Sequence, residues 1–497
     1  MGLNFSKSVK SAMQLLSANV GTKILGVLTL AFFARYLSKE ELSILPVYEM
    51  MAALAAIFFG FGIHPTILRL LPDKLENEPE EARGLACTSG LILLIGSLCF
   101  SVSIFVLADR ASLILFENID FSQYLRILTL GFFFAANRNT TQYFLWASSR
   151  FDKLSVVRIV AAVGRTIFGV TLLLMNGLKG LAIGLVINEG ICLFLSLYFL
   201  RDILFQGGIV WHSPSDIIKR SLPFYFESYL IYFRSQGDNW IVATMLGPAA
   251  ISTYFVAKRL PQMLLMFRES VDKIVTSEIS RRKSDPQGIR NYIHDLYGVL
   301  AHTATPFVWL LVGLLPSFIY VIAGREYSGA IIPGILLCFL QLNLFHSIPL
   351  GRGIFITRPP NTRVILTSIE SVILIALLFT LSPILEESGV ALSRLSASWL
   401  GLSISYFLMR KTLRIEIPWR QFMLSGLASG LMGGTILVLS FWRDSSIEVP
   451  IHALIGILVF LVFVSATNSR TFYATINRVA PFKVVDPVRF LIGCLAK

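Results

Sequence analysis

The sequence predicts an all-α, polytopic integral membrane protein of about fourteen transmembrane helices in two pseudo-symmetric bundles around a central cleft. Three observations lead there. Of 497 residues, 55% are hydrophobic and only 15% are charged, where soluble chains carry about a quarter. Apolar runs of about 20 residues follow one another along the whole chain, separated by charged or Gly/Pro-rich connections of about a dozen residues. The cations are distributed unevenly among those connections. No stretch is left over for a soluble domain. The net charge of +13 would suggest nucleic acid in a soluble protein, but in a multispanning chain it reports orientation, so no nucleic-acid partner is expected.

Taken in order, the spans fall near 15–37, 44–68, 85–107, 122–147, 155–176, 180–200, 219–246, 249–272, 294–322, 328–351, 363–383, 389–409, 421–441 and 450–467. With a cytoplasmic N-terminus, the inner connections and tails collect about 27 Lys and Arg, including Arg281-Arg282-Lys283 and Arg410-Lys411, against about 5 outside. Both termini are therefore expected in the cytoplasm, with the chain a multi-pass protein of the inner (cytoplasmic) membrane. The polar start, MGLNFSKSVKSAMQ, lacks the pattern of a removable signal peptide. From about Arg470 the tail mixes Phe, Val and Leu with spaced cations and is expected to lie along the inner membrane surface. The five cysteines have no paired spacing and read as small apolar residues.

Two stretches match at an offset of 209 residues: Ala34-Arg35-Tyr36-Leu37-Ser38 with Leu42-Ser43, and Ala243-Thr244-Met245-Leu246-Gly247 with Ile251-Ser252. Each ends one apolar span and begins another, which is the pattern of a duplicated helical hairpin. The expected domains are a six-helix bundle at 1–205, a second at 206–415, an additional helix pair at 416–470 and an interfacial tail at 471–497. The connection around Gly207-Gly208 and Pro214 links the bundles.

Ionisable groups deep in a span cost several kcal/mol unless they face protein or water, so they are the functional candidates. Glu227, Arg234 and Asp238 are spaced seven and four apart, on one face of the seventh span. Lys258, Gln262, Glu269 and Lys273 share a face of the eighth, with Pro261 expected to kink it. Asp238 and Lys258 are expected to sit level across the turn near Pro248. Arg138 shares a face with Thr141 and Gln142, and Arg158 and Arg165 share another. Arg138 and Arg165 each lie about 15 Å from the cytoplasmic end. Lys23, Glu49, Glu189 and Glu370 complete the set. His64, His302 and His346 have no ligand spacing, so no metal site is expected. Gly426, Gly430 and Gly434 form a ladder permitting close helix contact.

Motifs for soluble chemistry are missing: there is no G-x-x-x-x-G-K-[ST] loop, no H-E-x-x-H and no G-x-S-x-G elbow. ATP hydrolysis is thereby disfavoured and no cofactor is expected. A membrane-embedded polysaccharide polymerase or ligase, the rival of a different class, would need a large outer lobe. The longest outer connection, from Leu107 to Gln123, is too short for one.

The stretch Asp238-Asn239-Trp240-Ile241-Val242-Ala243-Thr244-Met245-Leu246-Gly247-Pro248, continuing to Ile251-Ser252-Thr253-Tyr254, resembles the start of the second half of Wzx-type polysaccharide flippases. These belong to the multidrug/oligosaccharidyl-lipid/polysaccharide exporter superfamily. Ala34-Arg35-Tyr36-Leu37-Ser38-Lys39-Glu40-Glu41 resembles the family's first hairpin turn. The resemblance covers residues 10 to 410 in layout. It implies a flippase, not an enzyme, that moves polyprenyl-diphosphate-linked oligosaccharide by alternating access for cell-surface polysaccharide such as O-antigen. Coupling to a proton or sodium gradient is implied, as is a partnership with membrane lipid and polysaccharide polymerase machinery. Substrate contacts then fall to Arg138, Arg165, Arg234, Lys258 and Arg259, since fixed cations offset the cost of carrying a diphosphate through a low dielectric. Ion coupling falls to Asp238, Glu49 and Glu227. Two relatives of the same fold compete. A lipid II flippase shares the fourteen-span count, but its acidic and aromatic signature is not visible near Arg35 to Tyr48. A drug/cation antiporter should show an acid-lined cleft with few cations.

Overall fold

The computed structural model describes residues 21–205, 210–282, 284–442 and 449–479, and among them every regular element is helical, with no strand. Residues 15–20 of the first expected span, Gly207-Gly208, Lys283 and the tail from 480 lie outside the described residues. Among the described residues seven helices are long and apolar enough to cross a membrane, and two of these are far longer than one crossing needs. Contacts group the chain into two compact units, Met1–Phe255 and Val256–Lys497.

In the first unit, α1 occupies 21–36. The short α2 (Lys39–Leu42) starts at a capping box, in which the Ser38 hydroxyl accepts from the Glu41 amide and the Glu41 carboxylate accepts from the Ser38 amide. Helices α3 (Ile44–Phe58), α4 (Ile63–Asn77), α5 (Pro79–Val106), α6 (Ala108–Phe116) and α7 (Ser122–Ala147) follow. The expected span at 44–68 is thus two helices. Phe61 and Gly62 take φ of 46° and 73° and break it. A Cβ on Gly62 would come within 2.4 Å of the Ser221 carbonyl oxygen, so glycine serves both the turn and the close approach of a later helix.

Helix α8 (Phe151–Phe199) is a hairpin of two arms that meet at Asn176 and Gly177, the latter at φ 58°. Its arms run antiparallel: the Asn188 side-chain amide donates to the Ala161 carbonyl at 3.2 Å. This is the fifth and sixth expected spans joined end to end. After α9 (Arg201–Phe205), helix α10 (Pro214–Ile241) packs on α3, α4 and α5, and a π-helical turn at Val242–Leu246 leads into α11 (Pro248–Gln262). The duplicated turns meet here. The Ser252 hydroxyl donates to the Lys39 carbonyl at 2.5 Å, while Ser43, its match in the repeat, donates to the Glu40 carbonyl. A repeat boundary marks where related sequence restarts, whereas the boundary at Phe255 marks where contacts are sparse, so the two need not coincide.

In the second unit, α12 (Leu264–Arg281) starts afresh after Met263. The break follows Pro261, whose ring removes a backbone donor. The break falls where Pro261 is expected to kink the span, and it divides the stripe Lys258, Gln262, Glu269, Lys273: Lys258 is buried and Glu269 is exposed. Helices α13 (Pro286–Ala323) and α14 (Ile331–Thr357) precede α15 (Pro360–Leu413), a second hairpin whose arms meet at Glu386. Helix α16 (Trp419–Trp442) lies on α13 and against α17 (Val449–Val479). The glycine ladder acts differently from the expectation. Gly426 and Gly434 face open space, and it is Gly433 that meets the Trp309 backbone of α13, 2.7 Å from where a Cβ would stand. Of the predicted ladder, Gly430 packs on the same tryptophan, 3.8 Å from its ring at the Cβ position.

Candidate functional site

Four charged side chains converge inside the first unit, each from a different helical segment. Arg138 on α7 reaches Glu189 on the second arm of α8, Nε to Oε2 2.5 Å. Arg165 on the first arm of α8 reaches Glu49 on α3, Nη1 to Oε1 2.9 Å. The hydroxyl of Tyr48, next to Glu49 in sequence and itself buried, lies within electrostatic reach of all four. It faces the Gly131 carbonyl on α7 at 3.5 Å. Two Arg and two Glu sum to zero, which is how such groups are tolerated in a low-dielectric interior. The α8 hairpin is what makes this possible, because its fold at Gly177 returns Glu189 to the depth of Arg165.

The two pairs differ in access. The Glu189 side chain is 5% exposed and Arg138 24%, against 28% for Glu49 and 33% for Arg165. The Arg165–Glu49 pair is the more open one and the easier for a polar ligand or ion to reach.

Helix α10 is fastened to α3 beside this cluster. Tyr225, Tyr229 and Tyr232 occupy one face at helical spacing. The Tyr225 and Tyr229 hydroxyls donate to the Phe58 carbonyl at 2.8 and 3.2 Å, satisfying an orphan acceptor at the end of α3. Tyr232 donates to the Met50 carbonyl at 3.1 Å, one residue from Glu49, and accepts from the Trp240 indole at 2.6 Å. Further along α10, Asp238 is buried and accepts from the Tyr254 hydroxyl at 2.8 Å and the Asn239 amide at 3.0 Å.

Of the residues singled out from sequence, the structure brings Arg138, Arg165 and Glu49 together, with Glu189 as their fourth member. Asp238 is buried, Arg234 half-buried and Glu227 exposed, about 16 Å from Asp238 along the helix at 1.5 Å per residue. Lys258, buried, and Arg259, half-buried, belong to the second unit. Lys23 is exposed on α1 and Arg158 half-buried on α8. Glu370 leans on Gly401 across the α15 hairpin. The side chain of Lys273 lies outside the described residues. His64 bonds Thr140 at 3.0 Å and stacks on Tyr143, joining α4 to α7, whereas His302 bonds the Gly298 carbonyl one turn back in its own helix at 2.8 Å.

Sequence reasoning missed the tyrosine face of α10 and a bidentate pair in the second unit. There Asp272 on α12 holds Arg352 on α14, Nε to Oδ1 2.6 Å with a second contact alongside. The recurrence of tyrosine at four and three residues was the available signal for the first. Nothing local in the sequence joins residues 272 and 352.

The family described as "Polysaccharide biosynthesis protein" matches residues 32–332, more than half of the chain. The chain belongs to that family. The match takes in the charged cluster, the tyrosine face and the repeated turn. No curated protein sequence matches this family member. Among solved structures, its fold is similar to "Lipid II flippase MurJ, inward closed conformation", with TM-score 0.70, 18% identity, and coverage of 91% of this chain and 98% of that one. It is also similar to "Inward-facing conformation of a multidrug resistance MATE family transporter of the MOP superfamily", with TM-score 0.55, 14% identity and coverage of 80% and 95%. An outward-facing MATE structure gives TM-score 0.56, 14% identity and coverage of 82% and 95%. The family member is thus a polysaccharide biosynthesis protein with several membrane-spanning helices, and it shares its fold with these MurJ and MATE structures.

Proposed function

We propose that the protein is a flippase that carries polyprenyl-diphosphate-linked oligosaccharide across the cytoplasmic membrane for cell-surface polysaccharide synthesis, driven by a proton or sodium gradient. The observation that carries this reading is the neutral Arg138–Glu189 and Arg165–Glu49 cluster, inside a chain of a polysaccharide biosynthesis family. A diphosphate brings about two negative charges, and two guanidinium groups offer it bidentate hydrogen bonds. As the phosphates take Arg165 and then Arg138, Glu49 and Glu189 each lose the guanidinium group beside them. A carboxylate in a low-dielectric interior is destabilised when it loses a neighbouring cation, so each takes up a proton or sodium ion. Charge balance alone therefore links substrate entry to ion uptake. Arg234, Lys258 and Arg259 act as further phosphate contacts and Asp238 and Glu227 as further ion sites. Asp238 exchanges between Tyr254 and a cation as access alternates.

The expected orientation puts both termini in the cytoplasm, with membrane lipid and the polysaccharide polymerase as partners. Sealed vesicles carrying the protein, supplied with lipid-linked oligosaccharide on one leaflet, should transfer it only when an ion gradient is imposed. Arg165→Ala should abolish transfer at normal protein level, and Arg165→Lys should retain part of it. Full transfer by Arg165→Ala would refute the reading. Preferential transfer of lipid II in the same vesicles would instead assign the peptidoglycan precursor.

A further inference from the structure

At one end of the second unit, positive charge gathers beyond what its own carboxylates balance. Gly389 approaches Leu381 across the α15 hairpin, which puts the start of the first arm level with the end of the second. The Arg358 guanidinium, just before α15, bonds the Thr412 hydroxyl and fixes that juxtaposition. Arg352 and Arg363 both lie over the half-exposed ring of Phe355, at 5.9 and 5.5 Å from its centre. Arg410, Lys411 and Arg414 are exposed at the end of the second arm.

Against these stand Asp272, held by Arg352, and Glu416, held by Arg290 at 3.2 Å. The first turn of α15 carries no acid, and its N-cap is Pro359, which has no side-chain acceptor. Its free N–H groups and its dipole therefore add to the positive field. Arg358 Nε is buried and has no hydrogen-bond partner among the described residues. The orientation bias of membrane proteins accounts for the number of cations. It does not require two guanidinium groups over one ring, nor a buried guanidinium nitrogen left unbonded.

Beside this end runs an apolar stripe. Ile365, Ile369, Val372 and Phe379 follow at helical spacing on the first arm of α15, all exposed. Only 11% of the most apolar window of this hairpin is buried by protein, against 67% for α8. The stripe is suited to acyl chains.

We propose that this end of the second unit binds an anionic bilayer phospholipid. Arg358, Arg363 and Lys411 hold its phosphate, and its acyl chains descend over the exposed apolar surface of α15, from Val364 and Ile365 beside Arg363 to the Ile369–Val372–Phe379 face. A soluble phosphate would satisfy the cations but leave the stripe unused, which is why the lipid is the occupant.

The test uses the full-length protein in detergent, with retained phosphatidylglycerol measured against phosphatidylcholine. Arg358→Gln with Arg363→Gln should weaken phosphatidylglycerol retention roughly thirtyfold, as expected for removing two cations at a membrane surface. Arg69→Gln with Arg201→Gln removes the same charge from exposed sites in the first unit and should leave retention unchanged. Monodispersity and helical content check that both variants are folded. Equal retention by the two variants would overturn the proposal. Displacement of phosphatidylglycerol by millimolar inorganic phosphate would reassign the site to free anions, and preferential displacement by farnesyl diphosphate would reassign it to a carrier lipid. Either would overturn it as well.

Discussion

Glu189→Gln isolates what the inner ion pair contributes. Glu189 is 5% exposed in its side chain and touches Arg138 at 2.5 Å. Two unit charges about 4 Å apart at an effective dielectric of about 20 attract by about 4 kcal/mol. Because 24% of the Arg138 side chain is exposed, and glutamine still accepts a hydrogen bond, roughly half of that should be lost, about 2 kcal/mol. For a chain of this length the unfolding entropy is about 1 kcal/mol per degree, so the apparent Tm should fall by about 2 °C. The assay is thermal unfolding of the detergent-solubilised protein at one fixed scan rate, since unfolding of so large a chain is under kinetic control. Arg138→Gln combined with Glu189→Gln should recover most of the loss, because no charge is then left unpaired. A double variant no more stable than Glu189→Gln alone would refute the reasoning and show that the two groups are not energetically coupled.

Tyr232→Phe removes the donor to Met50 and strands the half-buried Trp240 indole, so it should cost about 1–2 kcal/mol; Tyr225→Phe should cost less, because Tyr229 still reaches the Phe58 carbonyl, and unfolding at matched scan rate checks both. Gly62→Ala should sharply lower the yield of folded protein, since φ is 73° and the new Cβ would meet Ser221, whereas Gly426→Ala meets nothing within 4 Å and should be tolerated. Outside the membrane spans, the hydrogen bond from Arg150 holds the Asp202 carboxyl at about 2, below its ordinary 3.8. Its stabilising contribution is therefore present above about pH 4 and lost as pH falls through about 2. For so exposed a pair it should be under about 1 kcal/mol, so parent and Asp202→Asn should differ slightly at neutral pH and converge near pH 2.

The helices were legible because a bilayer imposes one dominant requirement, apolar runs of fixed length. The run at 122–147 matches α7 residue for residue. Legibility failed where the backbone departs from a straight helix. Nothing in the hydropathy of 44–68 announces that Phe61 and Gly62 turn the chain, because the break is set by α10 pressing against it from far along the sequence. The candidate site was readable by half. Arg138, Arg165 and Glu49 stand out as charges in apolar runs, but their pairing depends on the α8 hairpin returning Glu189 to them, and period alone does not give register between helices. The α12 break after Met263, by contrast, is announced by Pro261 two residues earlier.

That pairing changes what the cations can do. An isolated Arg in this interior would be a permanent anion trap, binding a diphosphate too strongly to release it, since conduction of a ligand needs each site to be left as readily as it is entered. Glu189 and Glu49 supply the competitor. Each carboxylate occupies the guanidinium face that a phosphate would take, so binding exchanges one anion for another and the net gain is small. Under the function proposed above, protonation of the carboxylate would shift the exchange toward the phosphate and deprotonation would shift it back, giving an ion gradient a direct hold on substrate release. The more open Arg165–Glu49 pair should exchange first and the enclosed Arg138–Glu189 pair second, following the exposures of 33% and 24% on the two arginines. Under the same proposal, an order of that kind would give the substrate a direction of travel through the first unit without requiring either arginine to move.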